Sequence, residues 1–239
     1  HPISARRERP AVFVSPHMMQ KTHDEKLLLI VQQPHKILRK KAAPIPIGDI
    51  TSARIQTLIA AMRSTLAHTA NGVGLAAPQV GESLQMFLAS EEAEAIDNGA
   101  LTRESARAMD AHEKKMREWR SYVYINPVIK KTSRRSLDDA EGCLSVKDTF
   151  GMVKRAEKIT VEAYDEKGVK FMRGASRFFA RVLQHELDHL EGILFIDKAE
   201  LMEPVPSRHD HAMPGDPLRQ SHHPASTRIG KAKSRAISQ

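Results

Sequence analysis

The chain has 239 residues, 41% hydrophobic and 28% charged, the profile of a globular chain long enough to bury one sizeable core. Its formal charge of +8 is concentrated at the ends, with Arg6, Arg7, Arg9 and Lys21 against Glu8 in residues 1–23, and six cationic against three acidic side chains in 203–239. The near-neutral interior argues against a nucleic-acid groove in the folded part; the one cysteine, Cys143, excludes an internal disulfide, and no apolar run reaches the length of a membrane span.

In chain order, the first segment is a basic extension over 1–23. Its arginine-rich, acid-poor composition fits a transit-peptide remnant as well as a solvated extension. A folded domain is expected over 24–202. Its first element is the helix in "DITSARIQTLIAAMRSTLAHTANG", with Asp49 as a plausible N-cap and Ile55, Leu58, Ile59, Met62 and Leu66 at helical spacing. Asn71-Gly72 ends it.

The run "NGVGLAAPQVG" (71–81) follows a helix and lacks G-x-x-G-K, so it is not a phosphate loop. Gly72 and Gly74 leave room for backbone contact with an extended peptide, and Gln79 offers an amide donor to a developing oxyanion. Strands are expected at 84–89, 122–129 and 158–172, the last folding back on itself at Asp165–Gly168. Between the first two lies an insertion at about 90–120, charge-rich, in which Met109, His112, Met116 and Trp119 suggest one short helix with a thin apolar stripe.

"EGCLS" (141–145) holds the cysteine, after a glycine that permits close backbone approach. Alone, Cys143 reads as a small buried hydrophobe. "SRFFARVLQHELDHLEG" (176–192) reads as a helix ended by Gly192. Residues four apart on a helix differ by about 40° in direction, so His185 and His189 share a face and Glu186 lies beside it. That is the pattern of two metal ligands and a general base; the bland alternative is a pair of solvated histidines. A catalytic site needs a third protein ligand, for which Cys143 is the candidate. From Pro204 on, the Pro/Ser/His-rich tail cannot bury enough apolar surface to order itself, and its histidines, His209 and His211 among them, are too irregularly spaced for a metal tract. Few strong helices between strands point to an α+β fold rather than a doubly wound sheet.

Taken together and in this order, "GVGLAAPQ", "EGCLS" and "QHELDH" resemble the three signature motifs of peptide deformylases, and the likeness extends from about Val31 to Ala199. The resemblance implies antiparallel sheets around a central metal-binding helix. It implies a hydrolase removing the formyl group from the N-terminal formyl-methionine of new polypeptides, through a metal-bound hydroxide with Glu186 as general base. Cys143, His185 and His189 would hold one divalent ion, Fe²⁺ in the cell, with Zn²⁺, Ni²⁺ or Co²⁺ able to replace it. Gln79 and the backbone N–H of Leu144 would stabilise the oxyanion. Gly74 and Gly142 would pair with the substrate backbone, and Val73, Phe179, Val182 and the His185 ring would line the methionine pocket. Glu141 would pair with Arg155 behind the cysteine.

Lys147, Phe150 and Lys154 depart from a family pattern of proline, arginine and proline, which makes the outer rim more apolar. The implied partners are formyl-methionyl nascent peptides, with transient ribosome proximity and no specific nucleic acid. The implied compartment is an organelle, the mitochondrion first, or otherwise the bacterial cytoplasm. Two alternatives stand beside this reading: a zinc endopeptidase of the H-E-x-x-H type, and a non-catalytic peptide-binding relative.

Overall fold

Period-two burial in the strands decides where the helices sit. In a computed structural model that describes residues 27–109, 112–113 and 119–201, strands β1 (Gly74–Ala76), β2 (Met86–Ser90), β3 (Ser121–Thr132), β6 (Lys158–Tyr164) and β7 (Lys170–Ser176) form a five-stranded sheet in the order β1-β2-β3-β6-β7. Every pairing in it is antiparallel. Phe87, Ala89 and Tyr124 point to one face, where they meet Phe179, Ala180 and Leu183 of a late helix. Met86, Leu88, Val123 and Ile125 point to the other face, against Ile55, Ile59, Met62 and Leu66 of an early one. With both faces covered, β2 is buried along its whole length and reads in sequence as an uninterrupted apolar run.

The early helix, α1 (Ala53–Ala67), is capped by Ser52, whose hydroxyl accepts from the Ile55 N–H. The expected cap, Asp49, instead closes a short 3-10 turn at Ile47–Asp49, so the helix starts one turn later than its acidic residue suggests. The hairpin β6–β7 turns at Asp165–Gly168 as predicted, with Gly168 at φ +77 and its N–H bonded to the Asp165 carbonyl.

Strands β4 (Ser136–Cys143) and β5 (Val146–Ala156) form a second antiparallel hairpin, joined at its edge by β8 (Glu200–Leu201). Among the described residues the insertion holds α2 (Glu91–Asp97) and α3 (Arg103–Ala108), the latter ending where Met109 turns extended, and residues 112–113 are again helical. Met109 and Trp119 pack with Ala95, Leu101 and Ala106 into a small core of their own. Met116 lies outside the described residues, as do the basic N-terminal extension and the polar tail with His209 and His211. The late helix, α4 (Arg177–Leu190), packs on strands of both sheets. No helix among the described residues is long and apolar enough to cross a membrane.

Candidate metal centre

Helix α4 is stopped by Gly192, at φ +74, where a Cβ would stand 2.7 Å from the Arg39 backbone and so has no room. Its polar face carries His185, Glu186 and His189 toward the tip of the β4–β5 hairpin, where a register shift at Gly142/Cys143 turns the chain through Leu144 and Ser145. One donor atom each from Cys143, His185 and His189 lie within 4.8 Å of one another. Cys143 Sγ is 3.2 Å from His189 Nε2. His185 uses Nδ1 to reach Glu141 Oε2 at 2.9 Å, which leaves Nε2 for the cluster.

The charges behind this cluster are balanced and buried. Arg155 binds Glu141 through two bonds of 2.8 and 2.9 Å and Asp188 through a third of 2.5 Å. Arg181 donates to Glu141 at 2.7 Å and to the carbonyls of Val153 and Leu137. Burial opposes ionisation of Glu141, but hydrogen bonds from Arg155 and His185 outweigh it and hold the carboxyl well below its ordinary range. Burial also pushes His189 well below its ordinary value, so that ring is neutral and ready to donate a lone pair. At His185 burial acts in the same direction, yet the Cys143 sulfur and the Glu141 carboxylate overcome it and raise the pKa well above the ordinary value.

The site therefore draws positive charge to the point where three soft or borderline donors converge. A thiolate with two imidazoles, one of them oriented by a carboxylate, fits a divalent transition metal with an open position.

Glu186 is 3% exposed, and its Oε2 has no hydrogen-bond partner among the described residues. Burial pushes its carboxyl up to about 7. Gly74 lies directly against it: a Cβ there would stand 2.3 Å from Glu186 Oε1.

Gln79 sits in a 3-10 turn, Ala77–Val80, after β1. Its carbonyl accepts from the Ala76 N–H at 2.8 Å, which aims the amide nitrogen at Ser145 Oγ (3.3 Å) and Cys143 Sγ (3.5 Å). Leu144 follows the cysteine in the turn, and its carbonyl accepts from Gln32 Nε2 at 3.0 Å. Gly142 is paired with Phe150, whose ring would lie 2.7 Å from a Cβ at 142 and is otherwise 56% exposed. Phe179 and Val182 are buried in the main core, with Val73 packed against it.

The sequence-predicted site residues thus come from five elements that converge around α4. Sequence reasoning missed Arg181, Asp188 and Gln32. A lone arginine on a helix and a lone aspartate inside H-E-x-x-H look like solvated charges until the hairpin is folded over them.

Comparison with known proteins bears on this arrangement. The family model for polypeptide deformylases matches residues 27–205. A peptide deformylase of Desulfitobacterium hafniense is 40% identical over 171 residues, covering 72% of this chain and 93% of that one. Another, of Symbiobacterium thermophilum, is 37% identical over 179 residues, covering 75% and 70%. A relative from Arabidopsis thaliana, named for chloroplast and mitochondrion, is 37% identical over 169 residues, covering 71% and 60%. Among solved structures, the class I type b peptide deformylase of Acinetobacter baumannii with Met-Ala-Ser bound superposes with a TM-score of 0.60 at 32% identity, covering 72% of this chain and 98% of that one.

Proposed function

The chain belongs to the polypeptide deformylase family and is a hydrolase that removes the N-terminal formyl group of formyl-methionyl polypeptides, and we propose that Cys143, His185, His189 and Glu186 carry that reaction. The observation that carries the proposal is the unpartnered, buried carboxylate oxygen of Glu186 beside three converging donor atoms. Cys143, His185 and His189 would hold one divalent metal ion. When bound, that ion supplies a Lewis acid for the formyl oxygen and acidifies water.

Glu186 takes the proton of the attacking water and passes it to the departing amine, a short transfer that its burial shields from bulk solvent. The Gln79 amide and the Leu144 N–H offer the hydrogen-bond donors for the oxyanion. The backbone at Gly74 and Gly142 lies alongside the peptide, and Val73, Phe179 and Val182 with the His185 ring receive the methionine side chain. The Acinetobacter baumannii neighbour holds Met-Ala-Ser, and a peptide beginning with methionine is carried over from it to this cleft. The endopeptidase alternative is not favoured by the family match.

The resident metal is assigned as Fe²⁺, with Zn²⁺, Ni²⁺ and Co²⁺ able to take the same sulfur and nitrogen donors; metal analysis of protein purified without oxygen tests this. The compartment is assigned to an organelle, on the arginine-rich, acid-poor stretch at 1–23 and the plant relative's naming. Recovery of the protein in the cytosol rather than in organelles on cell fractionation would remove that assignment. Nascent formyl-methionyl chains bring the enzyme transiently near the ribosome.

The decisive experiment measures formate released from formyl-Met-Ala by Fe²⁺-loaded full chain and by Glu186→Ala with its metal content matched. Release by the first and none by the second is expected. Equal release by both would remove Glu186 from the mechanism, and no release by a fully loaded wild type would overturn the site as assigned.

A further inference from the structure

The first turn of α4 lacks a cap of its own. Ser176, at the cap position, makes no side-chain bond to the helix, and Arg177 enters it at φ +46. Helix-start amides need acceptors. Here the Arg177 N–H bonds to the Glu157 carbonyl, and the next two are met from the insertion: Asp97, the last residue of α2, accepts from the Phe178 N–H through Oδ1 at 2.9 Å and from the Phe179 N–H through Oδ2 at 3.1 Å. A carboxylate at this end also complements the helix dipole.

The segment that delivers Asp97 is fixed at several points. Ser90 caps α2. Glu94, one turn before Asp97, pairs with Arg173 of β7 and accepts from Tyr122 of β3. The Arg173 guanidinium lies 3.7 Å above the Tyr122 ring. From α3, Arg103 pairs with Asp139 of β4 at 2.5 Å and covers the Phe178 ring at 4.5 Å. The insertion is therefore a bracket that joins both sheets to the start of the metal-bearing helix.

We propose that Asp97 is a positioning residue: its carboxylate holds the first turn of α4 and, through the Phe179 backbone, sets the Phe179 side chain in the methionine pocket. The proposal rests on the assignment of Phe179 to that pocket. His185 lies seven residues beyond Phe178, about 10 Å along the helix axis, so the effect of Asp97 falls on the substrate pocket and spares the metal ligands.

The test uses Co²⁺-loaded full chain as wild type, Asp97→Ala, Asp97→Asn and Phe179→Ala. Amide hydrogen exchange at Phe178 and Phe179, the visible Co²⁺ spectrum, and kcat and KM are measured for a formyl-Met-Ala and a formyl-Gly-Ala peptide. In Asp97→Ala, both amides lose protection, and KM for the methionine peptide rises about tenfold, the size of a lost cap expressed as affinity. Its kcat and its Co²⁺ spectrum stay as in wild type, and the glycine peptide, with no side chain to seat, is unaffected. Asp97→Asn, which keeps one acceptor, recovers most of the loss and keeps the test open if the alanine variant folds poorly.

An unchanged KM or unchanged protection in Asp97→Ala overturns the proposal while Phe179→Ala still raises KM. A Phe179→Ala variant with wild-type KM overturns the pocket assignment itself.

Discussion

Gly74 stands where the site admits no side chain. An alanine Cβ there would meet Glu186 Oε1 at 2.3 Å and its carboxyl carbon at 2.7 Å, so the proposed general base would have to swing away. Gly74→Ala is expected to lower kcat about 100-fold or more, the usual contribution of a placed base, with metal content unchanged. Equal turnover would show that Glu186 tolerates displacement. Glu141 fails differently when it is lost. It is the shared carboxylate of Arg155, Arg181 and His185, and both arginines are at most 5% exposed. Glu141→Ala leaves Arg155 with Asp188 and Arg181 with backbone carbonyls only. A stability loss of roughly 3–5 kcal/mol is expected in urea denaturation. A loss under about 1 kcal/mol would mean that water reaches the arginines and that the network is not closed.

At the scale of elements, legibility followed periodicity. The helix at 176–192 and the strand pair at 158–172 were readable because their apolar residues repeat at one period, with Gly192 ending the one and Gly168 turning the other, while the strands at 84–89 and 122–129 were readable as short apolar runs. The β4–β5 hairpin was not. "SLDDAEGC" and "VKDTFGMVKRA" hold few apolar residues, and their pairing, Asp138 opposite Lys154 and Glu141 opposite Gly151, is written across strands rather than along them. The group that caps α4 was also illegible, because it comes from 81 residues away. That cap has a titration of its own. Burial raises the Asp97 pKa above the ordinary value of 3.8, against the lowering pull of the two amides and of Arg177 and Arg103. The folded state thus binds the proton more tightly than the unfolded chain. The stability this contributes is complete below the ordinary pKa and is lost as pH rises through the folded one. Asparagine does not titrate, so Asp97→Asn should gain in melting temperature relative to wild type as pH rises from about 4 toward neutrality. Melts of both proteins across that range test this, and a gap that stays constant or narrows counts against it.

At the scale of the molecule, the candidate donors add a further tie between parts that are already joined by packing and by the Glu141–Arg155–Arg181 network. Cys143 belongs to the hairpin of the three-stranded sheet, and His185 and His189 to the helix that covers the five-stranded one. The three motifs were legible as a set because each has a distinctive composition. Their convergence was not legible from spacing, since 42 residues separate Cys143 from His185. An ion bound to all three binds only the folded arrangement, so it should stabilise the fold by mass action. With free metal at a thousand times Kd, the gain is about 4 kcal/mol. Removing the metal with a chelator should lower the melting temperature, and titrating Zn²⁺ or Co²⁺ back should raise it progressively with concentration. Cys143→Ser separates this linkage from a general salt effect. The serine keeps the packing volume but supplies no thiolate, so the metal-free melting temperature should stay close to wild type while the metal-dependent rise shrinks. If the rise survives in Cys143→Ser at full size, the ion is held by the histidines with some other group, and the hairpin is joined to the helix without it, through the Glu141–Arg155–Arg181 network and the Gln184–Ala156 bonds.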